Sequence, residues 1–485
     1  MRILAILTGL VLLGAAPPPS RDARLQQLVS PVSAASLRAQ VAKLVSFGTR
    51  HTLSSQTDPR RGIGAALAWT EAELNGFSRA CGGCLQVGRA SDTVTGRRIP
   101  TPTRLTNVFA VQRGTERPND VVIITGHIDS RVSDVMDATR DSPGANDDGS
   151  GTAAVIEAAR VLSKHKFPAT IVYAALSGEE QGLHGGKIMA DYAKAQGWNV
   201  VANLNNDIIG NACGSDGVCD AKTVRVFSEG PRWQGREGLA APQRSLGGEN
   251  DSPSRNLSRF LDSLAERLPA IGLDVRQVWR NDRHGRGGDH TEFLNAGFPA
   301  VRFSVSVENY NHQHQDLRVE NGVEYGDTIE KMDFAYLTKV VKLNVAALAA
   351  LASAPPPPDE PTVEGAVQTF TRVLWNETPG SQSYVVRWRR TDAADWQQSR
   401  HISRHFTATP AHVNVCLMLR GDGTIPPPEA RKDFGCRTEL KGIRVDDWVF
   451  GVSSVSKNGY ESPVASAVPG GAFKPWSAPP PPATN

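Results

Sequence analysis

The amino-acid sequence predicts an α/β fold, a mostly parallel twisted sheet flanked by helices, followed by a small all-β sandwich domain. Three observations carry this reading. Short apolar runs alternate with helix-period segments through the first part of the 485 residues. Residues beyond about 362 change to two-residue alternation. Between the two regions lie four consecutive prolines, Pro355 to Pro358, which neither a helix nor a central strand can hold.

The strands come first. Val121–Ile124, Thr170–Leu176, Val200–Leu204 and Val301–Val305 are expected as strands, and the first three are continuous apolar runs followed by turn residues. Strands buried on both faces have this appearance. Helical spacing lies between them. Val155, Ala159 and Leu162 keep one face after Asp148-Gly-Ser-Gly, and Leu257, Phe260, Leu261, Leu264, Ala265 and Leu268 repeat at three and four residues. Asp333 is placed to cap a last helix reaching about Leu351. Strand–helix alternation of this kind gives a parallel sheet covered on both faces. In the second region Tyr384, Val386 and Trp388 alternate with Val385, Arg387 and Arg389, and Trp448–Val452 leads to a turn at Asn458-Gly459. With few helical stretches between, a small sandwich is expected.

These signals divide the chain into a first domain at 20–354, a proline-rich linker at 355–361, a β-sandwich at 362–470 and a disordered tail at 471–485. Residues 1–16 read as a secretory signal, with Arg2 before the apolar run Ile3–Leu13 and the small residues Gly14, Ala15 and Ala16 after it. That run is too short to span a bilayer, and no membrane span is expected. The implied location is exported, periplasmic or extracellular. Six cysteines suit it, falling into local pairs: Cys81 with Cys84, Cys213 with Cys219, and Cys416 with Cys436. An even count in an exported chain favours disulfides, and the lone Cys81-Gly-Gly-Cys84 lacks the second CxxC of a zinc knuckle. Lys plus Arg is 53 and Asp plus Glu is 50, so no basic excess argues for nucleic acid.

Candidate chemistry sits at the strand ends. His127 and Asp129 follow the first strand, Glu179 and Glu180 the second, and Asp207 the third. In open α/β sheets the loops after parallel strands meet in one crevice. His, Asp and Glu arriving there together suit zinc, with manganese or cobalt also compatible. Each piece has a plainer reading alone. His127-Ile-Asp129 could be a turn with an Asx bond, and Asn146-Asp147-Asp148-Gly149 a turn and helix cap. Glu179 and Glu180 could be a solvated pair, although two carboxylates at a buried strand end are costly without a cation. His184 reads as structural, and His312 or His314 could close a site or lie on the surface.

Gly126-His-Ile-Asp-Ser130, Pro143-Gly-Ala-Asn-Asp-Asp-Gly-Ser-Gly151, Gly178-Glu-Glu-Gln-Gly182 and Asn206-Asp-Ile-Ile-Gly210 together resemble the di-zinc aminopeptidases of clan MH, metallopeptidase family 28. The likeness covers most of residues 100–350, with 20 residues from His127 to Asp147, 32 to Glu179, and 27 from Glu180 to Asp207. It implies a zinc-exopeptidase fold and two Zn(2+) ions per chain. Asp147 would bridge them, His127 and Asp207 completing one position, Glu180 and His314 the other. His312 is the alternative to His314. Glu179 matches the family's general base, Asp129 the residue that orients His127, and the Asp147–Asp148 peptide is cis in relatives. The segment Gly288-Asp-His-Thr-Glu-Phe293 resembles a further family motif, with Glu292 where a small residue or proline is usual. That makes Asp289 and His290 candidates for positioning substrate.

Tyr384-x-Val-x-Trp-Arg389 and Trp448-x-Phe-x-Val-x-x-Val-x-x-x-Gly-x-x-Ser462 resemble fibronectin type III strands. Nothing in that domain suggests chemistry, and contact with a surface or polymer is the expectation. The functional expectation is an exported metallo-exopeptidase releasing N-terminal residues from peptides. A carboxypeptidase or dipeptidase on the same site, an aminoacyltransferase of the glutaminyl cyclase kind, and a non-catalytic binding protein are the competing readings.

Overall fold

The computed structural model describes residues 20–232, 237–403 and 435–473. The expected signal at 1–16, Cys416, and residues 474–485 of the expected tail lie outside the described residues. Three helices come first among the described residues: α1 (Arg21–Val29), α2 (Ala34–Val45) and α3 (Ile63–Ala80). A long hairpin follows, β1 (Gln86–Gly96) and β2 (Ile99–Gln112), then β3 (Arg117–His127), α4 (Gly149–Leu162), β4 (Ala169–Leu176), α5 (His184–Ala195), β5 (Asn199–Asn206) and β6 (Thr223–Ser228). After α6 (Ala240–Ser245) and α7 (Pro253–Arg267) come β7 (Asp274–Val278), α8 (His290–Asn295) and β8 (Ala300–Val305). The short ribbon of β9 (Arg318–Glu320) and β10 (Val323–Tyr325) precedes α9 (Phe334–Ser353).

The first eight strands form one sheet in the order β1-β2-β4-β3-β5-β8-β6-β7. Its centre, β4-β3-β5-β8, is parallel, and so is β6-β7; β1-β2, β2-β4 and β8-β6 are antiparallel. Consecutive residues of β3 serve opposite cores. Val122 and Ile124 join the side of α1–α4 and α9, whereas Val121 and Ile123 meet α5 and α8. That division is why the run is apolar without a break. His127 is in register with Leu176, and Thr125 with Asn205. The loops after β3, β4 and β5 therefore leave from one edge.

Asp333 caps α9 by accepting from the Tyr336 N–H at 2.9 Å. By length and composition α9 could cross a bilayer, contrary to the expectation of no such segment, yet 78 % of its apolar stretch is buried in the protein. It packs against α1, α2 and α4 as a core helix. The helices α1–α3, the β1–β2 hairpin and the strands β6 and β7 carry weaker sequence patterns than the central strands.

Beyond the linker, β11 (Thr362–Glu364), β12 (Phe370–Trp375), β13 (Ser383–Arg390), β14 (Gln398–Ser403), β15 (Cys436–Lys441), β16 (Trp448–Val455) and β17 (Ala465–Ser466) make two small antiparallel sheets, β11-β12-β15 and β14-β13-β16-β17. They share a core of Val373, Trp375, Tyr384, Val386, Phe450 and Val452. Cys81–Cys84 and Cys213–Cys219 are disulfides. Cys436 is buried in the second core.

The proline-rich linker packs against the protein. Pro355, Pro357 and Pro358 are buried, and Arg117 Nη2 donates to the Ala354 carbonyl at 2.6 Å. The small sheets dock on α7 through a buried polar cluster. Arg389 pairs with Asp251, whose Oδ1 also accepts from Ser466 Oγ at 2.7 Å. Asn256 Nδ2 donates to Ser466 Oγ at 2.8 Å, and Arg259 Nε to the Ala394 carbonyl at 2.6 Å. Tyr460 enters the core of the larger region. Ala472 and Phe473, which composition places in the tail, are likewise buried. An apolar ring with a surface to cover outweighs the bias of the glycines and prolines around it.

Candidate metal centre

Three strand ends and two loops build the site. His127 is the last residue of β3, and Asp147 lies one residue before Asp148, the N-cap of α4. Glu179 and Glu180 follow β4, and Asp207 follows β5. His314 sits between β8 and β9 with φ 54°, a left-handed turn. These side chains form two triads, His127–Asp147–Asp207 and Asp147–Glu180–His314.

Asp147 belongs to both, through different atoms. Its Oδ1 lies 3.2 Å from His127 Nε2, and its Oδ2 lies 2.9 Å from His314 Nε2. Asp207 Oδ1 is 3.8 Å from His127 Nε2, and Glu180 Oε1 is 2.8 Å from His314 Nε2. Glu180 Oε1 is buried and makes no hydrogen bond despite that approach. A buried carboxylate oxygen left without a donor, facing an imidazole nitrogen and a second carboxylate, is what a divalent cation would satisfy. The donor set of imidazole and carboxylate suits zinc.

Neighbours hold each group in place. Asp148 Oδ2 accepts from the His127 N–H at 2.9 Å while its Oδ1 caps α4 through Gly151 N at 2.8 Å. The Asp147–Asp148 peptide is cis, as is Asp207–Ile208. Asp129 is fully buried; its Oδ1 accepts from Gly178 N at 3.0 Å, and its Oδ2 from Glu180 N at 3.1 Å and Thr52 Oγ1 at 2.8 Å. One carboxylate thereby fixes the loop that carries both glutamates. His127 Nδ1 lies 3.0 Å from the Asp129 carbonyl, so it points Nε2 into the site. Asp327 accepts from Asp147 N at 2.7 Å, and burial pushes its carboxyl up to about 7. Arg50, fully enclosed, donates to the carbonyls of Ile128 and Gly144 at 2.7 and 2.8 Å and so ties the two ligand loops together.

The electrostatics follow from burial and crowding. Burial opposes a charge on His127, but Glu179, Asp129, Asp147 and Asp207 outweigh it and hold the imidazole well above its usual range. Against burial, His314 and His127 keep Asp147 well below the carboxylate range. Glu179 is half-buried. Burial raises its carboxyl well above the ordinary value; His127 opposes this, and Asp207, Glu180 and Asp289 add to it.

Asp289 and His290 lie at the start of α8, outside both triads. Asp289 Oδ1 accepts from Gly186 N at 2.8 Å, and His290 Nε2 lies 2.9 Å from the Asn281 carbonyl. Burial pushes Asp289 up to about 7, with His127 opposing and Asp129 adding. His312 is half-buried and joins neither triad. No sequence motif marks Arg131, Arg302, Asp327, Thr52, Arg50 or Gln313, whose Nε2 donates to Asp147 Oδ2 at 2.9 Å. One signal was available: Arg302 is the single charge within the apolar strand Val301–Val305.

The family model "Peptidase family M28" matches residues 107–321, the span holding both triads. A probable zinc metalloprotease of Leptosphaeria maculans is 41 % identical over 456 residues, covering 93 % of this chain and 98 % of its own. The chain belongs to peptidase family M28. A probable zinc metalloprotease of Pyrenophora tritici-repentis is 41 % identical over 460 residues, covering 93 % of this chain and 88 % of that one. Among solved structures, the LapA aminopeptidase of Legionella pneumophila shares the fold of this M28 member, with a TM-score of 0.51 at 20 % identity over 73 % of this chain and 80 % of that one. The mixed sheet flanked by helices is thus the expected fold class.

Proposed function

We propose that this M28 peptidase is an exported aminopeptidase that releases N-terminal residues from peptides with two zinc ions. The observation that carries the reading is Asp147, which presents one carboxylate oxygen to the His127–Asp207 group and the other to the Glu180–His314 group. His127, Asp147 and Asp207 would hold one ion; Asp147, Glu180 and His314 would hold the other. Zinc in such sites supplies Lewis acidity, lowering the pKa of water and polarising a carbonyl.

The chain's own groups do the rest. Glu179 takes the proton of the attacking water as the new C–O bond forms, then delivers it to the leaving amine as the C–N bond breaks. Asp129 positions this step from behind, since it anchors the backbone of Glu179 and Glu180 and faces His127. Asp289 and His290 are the candidates for positioning substrate. Export is favoured by the apolar leader and the cysteine pairs, and the two small sheets are read as a fibronectin type III-like domain at 362–470.

The name of the Legionella neighbour favours aminopeptidase action among exopeptidase choices. Turnover of a peptide with and without an N-acetyl cap tests it. Cleavage of the free-amine substrate only is expected. Equal rates on both would transfer the reading to an endopeptidase or a carboxypeptidase.

A further inference from the structure

Arg131 is the one cation that touches two members of the Glu180–His314 group among the described residues. Its Nε lies 2.9 Å from Glu180 Oε2, and its Nη2 lies 2.6 Å from His314 Nδ1. Nη1 donates to the Val132 carbonyl at 3.1 Å and fixes the head in that orientation. The side chain is 17 % exposed, so solvent screens it weakly.

The chemistry of these contacts conflicts with a metal ion on the same imidazole. A guanidinium only donates hydrogen bonds, so the 2.6 Å contact needs a lone pair on His314 Nδ1. A neutral imidazole that ligates through Nε2 carries its proton on Nδ1, where it would meet the N–H of Arg131 head-on. Only an imidazolate could satisfy both partners. Arg131 also brings a positive charge to Glu180, the carboxylate a dication would use. The other triad differs. Arg302 approaches Asp207 but shares its charge with a second carboxylate, Asp282, and it touches neither imidazole of the two triads.

We infer that Arg131 is a placeholder cation: it occupies the Glu180–His314 position electrostatically until a metal displaces its contact with His314, and it makes that position the weaker of the two. The inference rests on the two-metal reading above and goes beyond it by assigning unequal affinities and the residue that causes them. Arg131 acts through Glu180 and His314, so it is a positioning residue and not a catalytic one.

The test is a zinc titration of the chelator-stripped full chain against a chromophoric competitor, which reads two dissociation constants without any turnover. Arg131→Met is expected to tighten the weaker constant about 10–100-fold, the range over which neighbours of metal ligands tune affinity, and to leave the tighter one unchanged. Should thermal melting show Arg131→Met unfolded, Arg131→Gln carries the same expectation with a neutral head against Glu180. An unchanged or weakened second constant overturns the placeholder role, because Arg131 would then prop the ligands. A wild-type chain that binds fewer than two zinc ions overturns the two-metal reading itself.

Discussion

Arg302 holds Asp207 at both ends of the residue. Its Nη2 is 2.8 Å from Asp207 Oδ1, and its Nε donates to the Asp207 backbone carbonyl at 2.5 Å. The guanidinium is fully buried, and its remaining arm reaches Asp282 at 3.0 Å. One charge thus sets the rotamer of a candidate ligand and neutralises two carboxylates at the end of the sheet. Burial opposes the charge on Arg302, but the two carboxylates hold its pKa above the usual arginine value.

Arg302→Met should leave Asp207 and Asp282 without their cation. Removing one partner of a buried pair typically costs about 3–5 kcal/mol. Urea unfolding of the stripped protein should show that loss. Zinc affinity at the His127 position should fall as well, by about 10–100-fold. Unchanged zinc binding with full stability would separate Arg302 from the site.

The adjacent glutamates should divide in function. Glu179→Gln is expected to hold its zinc and to lose about 10²–10⁴ in kcat, because the amide can hydrogen-bond water without taking its proton. Glu180→Ala should lose zinc from the position it shares with His314. Metal per chain and kcat, measured on both variants, check the assignment. The reverse pattern exchanges the two roles.

Asp282 makes stability sensitive to acid. Burial raises its pKa, but Arg302, then His290 and Arg283, outweigh burial and hold it below the usual 3.8. A depressed carboxyl contributes stability that is complete above its unfolded value and is lost as pH falls through the folded one. The window therefore lies below about pH 3.8. Asp282→Asn should flatten the dependence of unfolding free energy on pH there. A wild-type slope in the variant would assign acid sensitivity to other groups.

The docking of the small sheets should matter for stability more than for chemistry. Arg389→Met leaves Asp251 buried without its main cation, and a loss of about 3–5 kcal/mol is expected by denaturant titration. Turnover of a small anilide by the folded fraction should be unchanged, since both triads lie in the first region. A fall in kcat at full folding would show that the docked sheets shape the site.

By itself the sequence determined the central strands and the chemistry at their ends. Val121–Ile124 and Ile171–Leu176 carry no charge and are buried throughout because alternate residues face two different helix layers, so burial on both sides is written locally. His127, Glu179, Glu180 and Asp207 stand where those runs stop, and spacing along the chain needs no folding to be seen. Tertiary structure alone decided which oxygen of Asp147 faces which histidine, that His314 and not His312 completes a triad, and that Arg131, Arg302 and Arg50 grip the ligand loops. It also decided that the proline-rich connection packs against the first region, with Arg389 seated on Asp251. Periodicity reports how each residue is exposed relative to its neighbours. Contacts such as Arg131 to His314, 183 residues apart, depend on the path of the whole chain, which no local pattern encodes.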